Sequence, residues 1–443
     1  MAGLLENLTP AIPIAAVAAV MLRGASTRLT KGLKPGRIEW AIIFCLGYWV
    51  ANYFWANQTL SNLFSFDFLR HDGAMLTSYT AFFFLLGWPL KPRHCRLFWL
   101  VFATVLAVLG FAGAAISFNL PHSGVFNLLH VVGYEEYVAG FGAGVSGGAG
   151  QVFFGWYAAH NTAGGVYAVM SVLLLALLQD PKLSLNQRTF RWILLACCLM
   201  GLGVTYSRGA YLAFMGGAAV VLPLRKLSRS LKSALLVGVP IVVLLTMNSQ
   251  VMDRFDTLTD PYYQTSSGRE YVWHLAEEDF LASPIVGIGF GRFNDDDQYS
   301  SGVKHLVYVV RRAKTVNNDE HAHNSYFHFL AEGGIIGLLV TMYVWLSSWK
   351  VLSFYAARLP RSKLLPLLNG AKGALMAAVV QAFTEHVLGR GSVLLVLGTL
   401  IGTTVATARL EPTGTRTERE PVRGLAPPGL SAMLGRPEGV EVG

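Results

Sequence analysis

Long apolar runs, broken by short basic segments, set the pattern of the chain. Runs of roughly membrane-spanning length occur near residues 8–22, 38–57, 74–90, 97–118, 158–179, 190–206, 209–224, 231–248, 325–348, 364–388 and 391–408. They predict an all-α, polytopic integral membrane protein of about 11–12 transmembrane helices. The basic segments are 23–37 ("RGASTRLTKGLKPGR"), 91–96 ("KPRHCR"), 180–191 ("DPKLSLNQRTFR"), 225–232 ("RKLSRSLK") and the stretch from Lys350 to Lys363. They fall in every second loop, so the positive-inside rule makes them cytoplasmic and turns the intervening loops outward.

Two outward loops are long. Residues 119–157 include the glycine-rich "AGFGAGVSGGAGQ", and residues 249–324 have a helical-looking centre, "SGREYVWHLAEEDFLA". A loop as long as the second is usually functional. The expected organisation is therefore helices 1–8 with short cytoplasmic loops over 1–248, a large outward loop over 249–324 and the C-terminal spans over 325–408. Residues 409–443, rich in Pro, Gly, Arg and Glu, read as a disordered cytoplasmic tail.

Composition agrees with the pattern. Hydrophobic residues make up 53% of the 443 and charged residues 14%, against about 25% charged in a soluble domain. One soluble core could not bury that much apolar surface, whereas lipid can cover it. The net charge of +9 sits in short clusters between apolar runs, which argues against a nucleic-acid partner. Residues 8–22 lack a charged n-region and read as a short first span rather than a signal peptide. Cys45, Cys95, Cys197 and Cys198 form neither a disulfide framework nor a metal spacing.

A charge at the bilayer centre costs roughly 2.5 to 3.5 kcal/mol, and the ionisable groups collect at outward helix ends instead. Four clusters stand there: "TYSRGAYL" with Arg208, "EHVLGRG" with Glu385, His386 and Arg390, "AAHNTAGG" with His160 and Asn161, and "HAHNSYFHFLAEGGIIG" over 321–337. The long loop adds Arg269, Arg292, Arg311, Arg312 and Lys314. Each has a plain alternative. Arg208 could snorkel to the interface, Arg311 and Arg312 could be solvated loop charges, and Glu385, His386 and Arg390 could form a structural ion-pair cap. His321 and His323 could ligate a metal with His328 or Glu332, but no cysteine or second compact His/Asp set lies near. The favoured reading has no metal. His323 immediately precedes a span, and an imidazole suits general-base work at neutral pH. One outward histidine among outward arginines fits an anionic, lipid-borne substrate, with guanidinium groups gripping phosphate.

These residues resemble a known family. "HNSYFHFLAEGGIIG" fits His-[Asn/Ser/Gln]-x9-Gly-x-x-Gly, with His323, Asn324, Gly334 and Gly337 in register. "YSRGAYLAF" is similar to its Ser-Arg-Gly element, and "SGREYVWHLAEEDFLASPIVGIGFGRF" to its Gly-Arg…Trp…Pro-x-x-Gly-x-Gly segment. With "AAHN", the motifs resemble the O-antigen ligase/O-antigen polymerase superfamily of bacterial envelope glycosyltransferases, in order from about residue 155 to 340. The resemblance implies an inner-membrane enzyme with its site facing the periplasm. Its donor would be a glycan on undecaprenyl diphosphate and its acceptor, for a ligase, a sugar hydroxyl of lipid A–core oligosaccharide. The reaction would invert the anomeric centre and need neither metal, nucleotide nor other cofactor. Carried over by position, Arg208 and Arg269 would bind the diphosphate, His323 would be the base, and Asn324 would help fix it. Gly334 and Gly337 would allow close helix packing or lipid approach. His160, Asn161, Arg292, Arg311, Arg312 and Arg390 remain candidates for substrate contact.

The family usually keeps both termini cytoplasmic, whereas an odd span count leaves the N-terminus outside; either a span escapes the pattern or this member lacks one. A polymerase would use similar residues on a different acceptor, and the loop length and full His-Asn motif favour a ligase. A protein O-oligosaccharyltransferase usually carries a large extra periplasmic domain. A transporter or flippase would place ionisable groups near mid-membrane, and here they gather on one face.

Overall fold

Lipid-facing stripes account for much of the helical pattern. The structure is a computed structural model, and it describes residues 22–27, 30, 35–57, 73–117, 160–205, 207–222, 264–293, 321–389 and 391–411. The helices that build the site and its frame are α1 (Arg37–Asn57), α2 (Ala74–Leu85), α3 (Pro92–Ser117), α4 (His160–Leu177) and α5 (Leu185–Val204). They continue with α6 (Arg208–Val221), α7 (Gln264–Ala282), α8 (Ser325–Arg358), α9 (Leu365–Gln381) and α10 (Gly391–Leu410). No strand occurs among the described residues. The expected all-α membrane architecture is what the chain adopts. Residues 1–21 and 223–263, with the predicted spans near 8–22 and 231–248, lie outside the described residues, as do the glycine-rich loop and the tail from 412. The predicted side of the N-terminus lies outside them too.

Among the described residues, the segments Pro92–Ala114, Ser325–Arg358 and Gly391–Leu410 are long and apolar enough to cross a membrane. Ala74–Leu85, Asn161–Leu177 and Arg208–Val221 are apolar but shorter. On α3, Leu97, Val101, Val105 and Val108 are exposed at helical spacing. An outward apolar stripe of that kind is uncovered in water and satisfied in lipid. α4 is the opposite case. Val166, Tyr167, Ala168, Met170, Val172, Leu173 and Leu174 are all fully buried, because α5, α6, α9 and α10 surround it. A helix apolar all round belongs inside the bundle. Small residues let its neighbours close in: a Cβ on Gly217 of α6 would lie 2.7 Å from the carbonyl oxygen of Gly373 on α9.

Ion pairs gather at the basic ends. Arg96, opening α3, donates to Asp180 at 2.7 Å, and Arg191 of α5 donates to the Leu177 carbonyl that ends α4. Arg409 at the end of α10 forks onto Glu39 at the start of α1, with Nη2 2.9 Å from Oε2. These helix ends come from segments the sequence assigns to one side. The other ends of α4, α6 and α8 meet elsewhere.

Candidate functional site

The approach to α8 is built by its cap. Asn324 has extended backbone, and its Oδ1 accepts from the N–H groups of Tyr326 at 2.9 Å and Phe327 at 3.2 Å. That satisfies two of the donors a helix start leaves unpaired. One residue earlier, His323 has φ 45°, the one positive φ at a non-glycine residue among those described. Such a conformation is uncommon for a side chain of this size and is held by its surroundings. Ser325 N–H donates to the Ala382 carbonyl at 2.8 Å, and Ser325 Oγ donates to the Glu385 carbonyl at 3.1 Å while accepting from Leu388 N–H at 3.2 Å. The start of α8 is thereby stitched to the connection between α9 and α10.

That connection presents Glu385, which is buried. His321 Nε2 lies 2.6 Å from its Oε1 and His323 Nδ1 3.2 Å from its Oε2. Asn161 Nδ2, in the first turn of α4, donates to Oε2 at 2.6 Å, and His386 N–H donates to Oε1 at 3.1 Å. Burial alone would push the Glu385 carboxyl up. Hydrogen bonds from His321 and His323, with their charge, more than offset it and hold the group well below its ordinary range. Asn161 continues the chain: its Oδ1 accepts from Ser207 Oγ at 2.7 Å, and its carbonyl accepts from Gln381 Nε2 at 2.7 Å. Ser207 is the N-cap of α6, and Arg208, exposed, is the first residue of that helix. The His323 side chain is 23% exposed against 7% for Glu385, so the imidazole stands at the mouth of a buried cluster.

A second network lies behind the first. The His386 ring centroid is 4.0 Å from that of His328. His328 Nε2 lies 3.3 Å from Glu332 Oε2, and Glu332 Oε1 accepts from the N–H groups of Gly291 at 3.1 Å and Phe293 at 3.2 Å. The segment after α7 docks here on α8. Ile288 N–H donates to the Ala331 carbonyl at 2.9 Å, Gly289 N–H to the Glu332 carbonyl at 3.0 Å and Ile335 N–H to the Pro284 carbonyl at 2.9 Å. α1 supports the docked segment: Asn52 Nδ2 donates to the Val286 carbonyl at 2.7 Å, and Asn52 Oδ1 accepts from Phe290 N–H at 2.6 Å.

The arrangement reassigns several residues. His328 and Glu332 engage each other, so the group able to hold a metal is His321, His323 and Glu385, with ligand atoms within 4.8 Å of one another. Two imidazoles and a carboxylate make a set of a kind zinc accepts, although both Glu385 oxygens are occupied by N–H donors or imidazoles. Of the residues marked by sequence, His323 and Asn161 meet at Glu385, and Arg208 follows Ser207, the partner of Asn161. Asn324 contacts the backbone ahead of it as a cap. Arg292 donates from Nη1 to the Ala56 carbonyl at 3.3 Å, beside the docked segment. His160 and Arg269 lie on α4 and α7, and Arg311, Arg312 and Arg390 are outside the described residues. Gln381, Tyr48, Trp49 and Asn52 carry the frame without having stood out. Asn52 had a signal, as an amide within an apolar run.

Apolar stripes facing outward, a buried central helix and a polar cluster at one end of the bundle define an integral membrane protein with a site built from helix ends. Residues 193–342, about a third of the chain, match the family model described as O-antigen ligase. The matched domain supports a function of the O-antigen ligase/polymerase type. The match takes in Arg208, Arg269, His323 and Glu332 and stops short of Asn161 and Glu385 on either side. No curated protein matches the chain.

Proposed function

We propose that the protein is an O-antigen ligase of the bacterial inner membrane, acting at the periplasmic face. It transfers a glycan from undecaprenyl diphosphate to a sugar hydroxyl of lipid A–core oligosaccharide. The observation that carries this reading is the position of His323: partly exposed at the mouth of a buried cluster, Nδ1 turned to Glu385, next to helix ends that include the Arg208 turn. The acceptor oxygen attacks the anomeric carbon as the bond to diphosphate breaks, with inversion. The hydroxyl proton passes to His323 Nε2, and undecaprenyl diphosphate leaves as an anion. Diphosphate leaves readily, so charge neutralisation is the larger task, and preorganised arginines suit it. Arg208 and Arg269 take the diphosphate, and Arg292, Arg311, Arg312, Arg390 and His160 are the further candidates for substrate contact. Asn324 acts indirectly, by fixing where α8 begins. No metal or cofactor takes part.

Deletion in the native bacterium, followed by envelope gel analysis, tests the reaction. The expected result is loss of polymer from lipid A–core while lipid-linked polymer accumulates. Loss of chain length beyond one repeat, with single repeats still attached to the core, would instead assign a polymerase.

A further inference from the structure

Glu385 lies 62 positions beyond His323 in the chain and outside the segment matched to the family, yet it touches the imidazole. We propose that Glu385 is the positioning carboxylate of His323, and that Asn161 is the joint tying this pair to the Ser207–Arg208 turn. The inference rests on the reading of His323 as the base.

A neutral imidazole carries one ring proton, and its neighbours decide which nitrogen holds it. A carboxylate at Nδ1 selects the form protonated there and leaves the Nε2 lone pair for the acceptor hydroxyl. Once Nε2 takes that proton, the same carboxylate stabilises the imidazolium without being protonated itself. Glu385 meets the requirement of staying anionic, since its donors hold it well below the ordinary carboxyl range.

The carboxylate is fixed in turn. Oε2 receives Asn161 Nδ2 at 2.6 Å as well as His323, and Oε1 receives His386 N–H at 3.1 Å and faces His321 Nε2 at 2.6 Å. An anionic acceptor demands the amide NH2 of Asn161, which turns Oδ1 to Ser207 Oγ–H at 2.7 Å. Ser207 Oγ also accepts from Ala210 N–H at 3.4 Å, as the cap of the helix that Arg208 opens. A single chain of hydrogen bonds thus runs from the cap beside Arg208 to the base. The titratable groups facing Glu385 are His321 and His323 from the approach to α8 and His386 from its own segment. His328, paired with Glu332, lies behind His386. Asn161 is therefore a positioning residue, and its amide is buried rather than turned to substrate.

The test measures kcat, KM and the pH–rate profile of the full chain in nanodiscs, with a polyprenyl-diphosphate glycan and lipid A–core acceptor. Glu385→Gln is expected to lower kcat by about 10²- to 10⁴-fold, with donor KM held within about threefold and the acid limb of the profile moved to lower pH. Glu385→Asp is expected to restore part of kcat and the original limb, and Asn161→Ala to lower kcat about tenfold with a smaller limb shift in the same direction. An unchanged kcat, or a lost kcat with the limb in place, in a Glu385→Gln protein that melts normally would overturn the proposal. If Glu385→Gln fails to fold, Asn161→Ala decides by the same two readouts. His323→Ala separates this from the wider reading: normal transfer in that variant sinks the base itself. An inactive His323→Ala beside a normal Glu385→Gln sinks only the role of Glu385.

Discussion

Gly334 and Ile285 touch backbone to backbone: a Cβ on Gly334 would lie 2.4 Å from the carbonyl carbon of Ile285. The contact falls where α8 breaks, with Gly334 at φ 58° and ψ −163°. Ile336 N–H, just beyond the break, donates to the Ile285 carbonyl at 3.3 Å. Glycine is required twice over, once for the left-handed backbone and once for the approach.

Gly334→Ala is therefore expected to undock the segment after α7. Backbone at that positive φ with extended ψ, open essentially to glycine, costs an alanine about 1–3 kcal/mol, and displacing a packed neighbour adds about 1–3 kcal/mol. The variant should melt several degrees lower in detergent and be cut faster by protease between α7 and α8. Gly47→Ala, where a Cβ meets nothing within 4 Å, serves as the comparison. Equal melting of the two proteins would remove the structural role given to Gly334.

Helical class and the gathering of polar groups at helix ends are both legible in the sequence, because lipid burial and loop charge act on residues one segment at a time. Partners across segments are not. Glu385 reads as a cap shared with its neighbours His386 and Arg390, but its hydrogen-bonded imidazoles come from 62 and 64 positions upstream. Glu332 reads on sequence only as a possible metal ligand, and it accepts from backbone N–H groups 41 and 39 positions away. The spacing that reads as glycine packing splits in two. Gly337 does pack, with a Cβ 3.2 Å from the Trp49 ring, whereas Gly334 ends one helical run. Asn324 shares a motif with His323 and turns to Tyr326 and Phe327 instead, since a helix start leaves donors that a neighbouring amide can meet.

Glu332→Leu removes the acceptor from the N–H groups of Phe293, which is buried, and Gly291, which is half-buried. Each unsatisfied group costs about 1–3 kcal/mol, so the loss should exceed that of Glu332→Gln, whose amide oxygen can still accept. Thermal melting in detergent measures the difference. A leucine variant as stable as the glutamine one would show that the docked segment does not depend on this acceptor.

Arg208 tests the anion-binding reading. Arg208→Ala is expected to raise donor KM and lower kcat/KM by more than tenfold, at about 1.4 kcal/mol per factor of ten, while Arg208→Lys keeps the charge and loses less. Transfer assays over a donor concentration series check this. If lysine fails as badly as alanine, the forked geometry matters more than charge. If alanine performs like the parent, the side chain has no part in donor use.

Chelation separates the hydrogen-bonded cluster from a metal site at the same atoms. His321, His323 and Glu385 are close enough to ligate an ion, and base chemistry at His323 requires none. Transfer is expected to continue at full rate after EDTA treatment and desalting. Loss of activity that returns with zinc would assign those three side chains to a metal instead.

Acid stability follows from Glu385. Its folded-state carboxyl lies well below the ordinary range, despite burial that raises it, because His321 and His323 favour the anion. The unfolded chain has a glutamate at about 4.3 and binds a proton first as pH falls. The contribution of Glu385 to stability is thus complete above that value and is lost as pH drops through the lower folded value. Melting temperatures of the parent and Glu385→Gln, taken from pH 7 down to pH 3, should differ most at neutral pH and converge in acid. Subtracting the two curves cancels the other carboxylates, which titrate in both proteins. A difference that stays constant to pH 3, or widens, would mean that the carboxylate is not held as an anion by its two imidazoles.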